Sequence, residues 1–403
     1  MNHYFLLTID VEDWFQVENF KQYIPFASWS SHELRVEKNT HRILDLFDSI
    51  ESKKAEVRMQ KTVSNNENQV SRIQYSDNGQ QSTDDGQDEK VRGTFFVLGW
   101  LAERLPHLVQ EIHSRGHEVA SHGYYHNLCN EQSHEDLKTD LYNSKSLLED
   151  IIGTQVYGYR APSFAINNDI LKIIEDCGYL YDSSYNSFAL HNRYGHLDLL
   201  QNKTRGIAIK ITSTKHQKPL PREIFTPLNS KTVQLGHDSD SEAYLTGAEP
   251  RTFYELPISN LHFRTPFSYA CPARPVAPGD GTGVKFFKKD SIAYLTGALS
   301  AIGSEQNRGG FVLPWGGGGY FRLIPFPLFK IGIKRILGQE KAYLFYFHPW
   351  EIDPEQPKVN QASSFYKFRH YINLNKTYSK LSKLIGSFRH HRFLTCKQYL
   401  DVL

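Results

Sequence analysis

The feature that most constrains this chain is a repeating alternation of short apolar runs with helical patterns. Apolar or β-branched runs fall at Tyr4–Ile9, Thr94–Leu98, Glu118–Ala120, Val156–Tyr159, Tyr179–Asp182, Tyr254–Leu256 and Tyr343–Phe347. Between them, helical periodicity marks Thr40–Ser52, Leu101–Arg115, His134–Ile152 and Asn168–Cys177, the last followed by Gly178, a natural helix stop. Strands alternating with helices predict an α/β fold built on parallel strands. A closed barrel fits this count as well as an open sheet does. Three polar stretches break the alternation, at about 53–92, 201–251 and 265–311, and are expected to be insertions without catalytic residues. The hexapeptide AYLTGA begins at Ala243 and again at Ala293, too little for a repeat architecture.

Composition narrows the possibilities. With 403 residues, 39% hydrophobic and 22% charged, the chain can bury a sizeable core. A net charge of +2 gives no reason to expect nucleic acid as a partner. Mean hydropathy is −0.50, consistent with polar insertions beside a normal core. The 4 cysteines are scattered, so reduced thiols are expected, with neither a disulfide framework nor a thiolate zinc site. The absence of an apolar run of about 18 residues predicts no transmembrane helix. The N-terminal apolar run is short and interrupted by Asp10, unlike a signal peptide. A cytoplasmic location is the expectation, with membrane-peripheral association open. Near the C-terminus, Leu381, Leu384, Ile385 and Phe388 form one apolar face of a helix, to pack on the main domain or lie on a membrane surface.

The chemistry-bearing residues cluster at ends of the expected strands, where ligands bind in parallel α/β folds. In FLLTIDVEDWF an apolar strand runs into Asp10, Glu12 and Asp13, a like-charge cluster that a cation would relieve. His122 and His126 sit i and i+4 after a second strand, a spacing that lets two imidazoles reach one metal. Arg160, in GYRAPSF, is placed to clamp a carboxylate such as Asp10. His348 follows the apolar strand of YLFYFHPWEIDP and is placed as a general acid or base. WGGGGYFRLIP lacks the context of a phosphate loop and suggests close backbone approach instead.

Taken together these segments resemble the polysaccharide deacetylases, carbohydrate esterases with a NodB-homology domain. TIDVED, SHGYYH, YRAP and FYFH stand for four of that family's motifs, in the family's order. DVEDWFQVENF, GTFFVLGWLAERLP, GGGGYFRLIP, HPWEIDPEQP and FRHYINL further resemble a bacterial subfamily with its own C-terminal extension, associated with exosortase systems and exopolysaccharide loci. The resemblance implies a distorted (β/α)7-type barrel over 1–352, with a helical C-terminal extension, 353–403, packed on it. It implies metal-dependent removal of N-acetyl groups from amino sugars of a polysaccharide or its precursor, with Zn²⁺ as the expected metal and acetate as product. Residue by residue, it implies Asp10 as base, Arg160 as the residue that tethers it, His348 as acid, and His122 and His126 as metal ligands. The usual first motif has adjacent aspartates, whereas here Val11 and Glu12 stand before Asp13. Asp13 is expected as the carboxylate ligand, swung in by a bulged strand end, and Glu12 is its competitor by strand alternation. The family's fourth motif, with its Asp and Trp, is not evident, which leaves open what orients His348. Two other functions stay open: a related amidohydrolase acting on a small cyclic amide, such as an allantoinase, and a glycan-binding protein whose catalysis has decayed.

Overall fold

The computed structural model describes residues 3–50, 90–188, 197, 206–211, 252–264 and 310–403. Both AYLTGA segments, and most of the three polar stretches, lie outside the described residues. The elements in order are β1 (Tyr4–Val11), α1 (36–50), β2 (Gly93–Val97), α2 (Gly99–Arg104), α3 (Pro106–Ser114), β3 (Glu118–Ser121), α4 (His134–Ile152), β4 (Gly158–Tyr159), α5 (Asn168–Asp176), β5 (Tyr181–Asp182), β6 (Ile209–Ile211) and β7 (Phe253–Glu255). There follow β8 (Asn260–Arg264), β9 (Gly310–Pro314), α6 (Gly318–Leu323), α7 (Phe326–Glu340), β10 (Ala342–Phe347), α8 (Ser364–Tyr371), α9 (Leu374–Phe388), β11 (Arg392–Phe393) and α10 (Cys396–Asp401).

The main sheet runs β10-β1-β2-β3-β4-β5-β7-β6, parallel except for β6 against β7. It is a curled α/β sheet of the (β/α)7 barrel type with helices outside it. Its two sides approach each other at Ser259, whose N–H donates to the Leu344 carbonyl and whose Oγ accepts the Leu344 N–H at 2.8 Å. β8 and β9 form a separate antiparallel pair.

Strand alternation divides the core in two. On β1, Phe5, Leu7, Ile9 and Val11 face the helices, while Leu6 points into the barrel with Phe96, Ala120, Tyr181, Leu256 and Leu344. Asp10 shares the parity of Leu6, so the barrel interior ends in a carboxylate. The same parity carries forward to Glu12, because β1 stays in register with β2 as far as Val11↔Val97.

All seven expected strands form, shifted by a residue or two at their ends. Expected helix Leu101–Arg115 is two helices, α2 and α3, because Pro106 cannot donate its N–H and restricts the residue before it. α4 has the expected bounds, with Ser133 accepting the Asp136 N–H at its start and Gly153 at φ 69° ending it. Four strands were not expected: β6 lies inside the stretch read as patternless at 201–251, β9 overlaps the end of 265–311, and β8 and β11 fall outside every expected run. Each is a short strand supported by a neighbour that is distant in sequence. The C-terminal apolar face packs as one of its two readings had it. Leu381, Leu384, Ile385 and Phe388 are all buried, and β11 adds to β1 at Tyr4↔Arg392 and Phe5↔Phe393. Among the described residues no helix is long and apolar enough to cross a membrane. Cys129, Cys177 and Cys396 are free thiols.

Candidate metal centre and catalytic groups

The carboxyl ends of β1, β3, β4 and β10 bring Asp10, Glu12, His122, His126, Arg160 and His348 together. All but Arg160 line one cavity of about 470 Å³.

The first group is a three-ligand cluster. His122 Nε2 lies 2.9 Å, and His126 Nε2 3.0 Å, from Glu12 Oε1, all three residues being buried. His122 Nδ1 donates to the Arg160 carbonyl at 2.7 Å, which leaves Nε2 with a lone pair when the ring is neutral. Two lone pairs would then face each other across 2.9 Å in a buried site. Only protons or a cation between them relieve that contact. Two imidazoles and a carboxylate suit a divalent transition metal with open positions, so the residues fit such an ion. His126 holds φ at 58°, the left-handed region that non-glycine residues avoid, as ligating residues can when their surroundings hold them. Burial pushes the Glu12 carboxyl up, but the facing charges of His126 and His348, and the hydrogen bonds to His122 and His126, outweigh it and hold it well below the usual range. Burial lowers His126, and Glu12 more than reverses that.

Asp13, expected as the ligand, is not in this cluster. There is no bulge to swing it inward. Glu12 turns back after β1, its N–H donating to the Asp10 carbonyl at 2.9 Å, and Asp13 leaves on the opposite side. Its carboxylate accepts the N–H of Trp14, Arg35 and Val36 at 2.8, 2.7 and 2.9 Å, holding the start of α1. Burial pushes the Asp13 carboxyl up to about 6 against those three hydrogen bonds. Glu12, the competitor on strand alternation, is the carboxylate that meets the histidines.

The second group is Asp10 with Arg160. Arg160 is 0% exposed, and its Nη1 reaches Asp10 Oδ1 at 2.6 Å and Thr8 Oγ1 at 2.9 Å. Its Nε and Nη2 donate to the carbonyl and hydroxyl of Ser183, both at 2.9 Å. The Ala161 N–H donates to Ser184 Oγ, which donates to Asp182. Asp182 is in turn hydrogen-bonded to Glu255. Two fully buried carboxyls in contact cannot both ionise. Burial first, and then Asp182, push Glu255 well above the usual range. The segment YDSS thus underpins Arg160, and through its side chain and carbonyl both Asp10 and His122.

The third group answers what orients His348. Its Nδ1 donates to Glu351 Oε1 at 2.8 Å, and Glu351 Oε2 accepts from Arg322 Nε at 2.7 Å. Arg322 Nη1 and Nη2 then grip the carbonyls of His370, Ile372 and Arg369 at the end of α8. His348 Nε2 is left facing the cavity, 3.9 Å from both Asp10 Oδ2 and Glu12 Oε1. Burial lowers the imidazole, but Glu12, the hydrogen bond to Glu351 and Asp10 outweigh it and raise it to about 9. The glycine run makes this possible: a Cβ on Gly318 would stand 2.2 Å from Glu351 Oε1, and one on Gly316 2.6 Å from the Ser259 carbonyl. The close backbone approach expected of WGGGGYFR is therefore real. Sequence reading missed Glu351 and Arg322 as site residues, although Glu351 stands three residues after His348 and Arg322 ends GGGGYFR.

Residues 86–181 match the family model described as polysaccharide deacetylase, and residues 303–401 match a domain of unknown function. Over 96 residues the chain is 34% identical to a peptidoglycan deacetylase-like protein of Gibberella zeae, covering 24% of this chain and 28% of that one. Over 90 residues it is 30% identical to a peptidoglycan-N-acetylglucosamine deacetylase of Bacillus cereus, covering 22% and 42%. The chain thus spans less than half the length of these relatives. A solved structure from Mycobacterium smegmatis, provisionally described as a polysaccharide deacetylase, aligns at TM-score 0.45 and 14% identity, over 99% of this chain and 88% of that one. The matched segment contains His122, His126 and Arg160, and over it the chain is similar to the polysaccharide deacetylases.

Proposed function

We propose that the chain is a metal-dependent hydrolase that removes N-acetyl groups from amino sugars of a polysaccharide or its precursor, releasing acetate. The observation that carries this reading is the meeting of three groups in one cavity: the Glu12–His122–His126 cluster, the Asp10–Arg160 pair and His348. The relatives named as acting on peptidoglycan N-acetylglucosamine support the substrate class.

A divalent ion, with Zn²⁺ the best match to the donor set, would be held by Glu12, His122 and His126, and would supply Lewis-acid polarisation of the amide and a more acidic water. Asp10 accepts the proton of the attacking water. The Arg160 guanidinium, at 2.6 Å, holds the Asp10 carboxylate in place at the cavity. His348 carries its proton on Nε2, on the cavity side, and delivers it to the departing amine. Glu351 keeps the ring in that orientation by accepting from Nδ1. The acetamide carbon adds the water oxygen, its C–N bond breaks, and the sugar leaves as a free amine. The test is acetate release from N-acetylglucosamine oligomers by wild type, Asp10→Asn and His126→Ala, with and without chelator. Loss in both variants and with chelator is expected; undiminished release would overturn the scheme.

A further inference from the structure

The cavity that holds Asp10 and His348 continues onto α8. Phe365 and Tyr366, at the start of that helix, and Arg369, one turn on, line it. Phe365 is 45% exposed, which leaves its ring open to the cavity it lines. The Arg369 guanidinium stands 5.8 Å from the centre of the Phe365 ring. A second wall comes from the loop after β4, where Ser163 and Phe164 hold φ at 52° and 60°. Consecutive non-glycine residues in that region are strained, and such strain gathers at ligand-binding places.

α8 is also rigidly placed. Arg322 grips three carbonyls at its C-terminal end, and the same guanidinium holds Glu351, which holds His348. One side chain therefore fixes the distance between the aromatic rim and the proton donor.

A pyranose ring presents a face of C–H groups that stacks on an aromatic ring, and its hydroxyl and acetamido oxygens accept hydrogen bonds from a guanidinium. We propose that α8 forms a subsite for the sugar beside the reacting one, with Phe365 as its stacking face and Arg369 as its donor. This rests on the deacetylase reading for the identity of the reacting sugar. It gives the matched region of unknown function, 303–401, a role on both sides of the chemistry: it carries His348 with its support, and it seats the glycan.

The experiment uses the full chain, with binding of the N-acetylglucosamine hexamer measured by calorimetry beside acetate release. Phe365→Ala and Arg369→Gln are expected to raise the hexamer Kd about tenfold each, at unchanged melting temperature. Phe368→Ala is the control: Phe368 is 40% exposed on the same helix but does not line the cavity, so its Kd should stay at the wild-type value. Wild-type affinity in Phe365→Ala, equal weakening in Phe368→Ala, or no saturable hexamer binding by wild type would each overturn the subsite. The expected binding pattern without acetate release supports the subsite and fails the deacetylase reading instead.

Discussion

Glu12 and Asp13 are neighbours with opposite fates, decided by strand parity. Asp10 and Glu12 leave the chain on the barrel side, and Asp13 leaves toward the start of α1. Two substitutions separate their roles. Glu12→Gln is expected to cut bound zinc about tenfold or more, as elemental analysis of purified protein would read. Asp13→Asn should keep its zinc and instead lose about 1–3 kcal/mol of stability in urea titration, because three backbone N–H groups lose an anionic acceptor. Retained zinc in Glu12→Gln together with lost zinc in Asp13→Asn would restore Asp13 as ligand. His348 supplies a pH test. Its imidazole titrates at about 9 in the folded chain and about 6.5 when unfolded. Its proton therefore stabilises the fold fully below about pH 6.5, and that contribution is lost as pH rises through about 9. In metal-free protein, NMR should follow the ring to a midpoint near 9, and Glu351→Gln should lower that midpoint. A ring that titrates at its ordinary value in the native chain would show that the facing carboxylates do not act on it.

At the scale of elements, the site depends on strand ends and on what lies beneath them. β5 offers no catalytic group, yet its end carries Ser183 and Ser184, which hold Arg160, and Asp182, which holds Ser184. Burial and the facing Asp182 raise Glu255 well above the usual range, so Glu255 is the expected holder of a proton between them, and this makes the two residues unequal. Glu255→Gln keeps a neutral donor and should leave kcat within about twofold. Asp182→Asn turns an acceptor into a donor against the Ser184 N–H or hydroxyl, and should lower kcat about tenfold with KM unchanged. Steady-state kinetics of both variants decide it, and equal effects would show that the pair is not protonated on Glu255.

For the whole molecule, the α/β alternation was legible because each strand buries an apolar run and each helix carries its own stop or cap. The His122–His126 pair and the Arg160–Asp10 clamp were legible because strand ends locate them, although residues 122–126 form a loop with His126 at φ 58° rather than the helical turn that the i, i+4 spacing suggests. Glu351 and Arg322 were not, because their partnership joins segments 29 residues apart across α7 and β10 and shows only in three dimensions. β6 escaped because three residues give no period to read. The expected division at 352 also looks different in the fold. Residues beyond it bury Leu381, Leu384, Ile385 and Phe388 and complete the edge of β1. At about 1.5–3 kcal/mol per buried side chain, their loss rivals the whole stability of a typical domain. A chain cut after residue 352 should therefore be insoluble or lack a cooperative melt by circular dichroism, and a folded, active 1–352 would show the extension to be dispensable.

The order of β10, β1 and β2 in the sheet has a consequence for synthesis. β1 leaves the ribosome 342 − 4 = 338 residues ahead of β10, the strand on its flank, paired from Tyr4↔Ala342 to Ile9↔Phe347. At about 5–20 residues per second, the apolar edge of β1 waits on the order of tens of seconds for that partner. During that interval it is an open template for other strands, and Asp10 at its end has no His348 facing it. The nascent chain thus needs shielding before it can have activity, and slowed growth or added chaperone should raise its soluble yield.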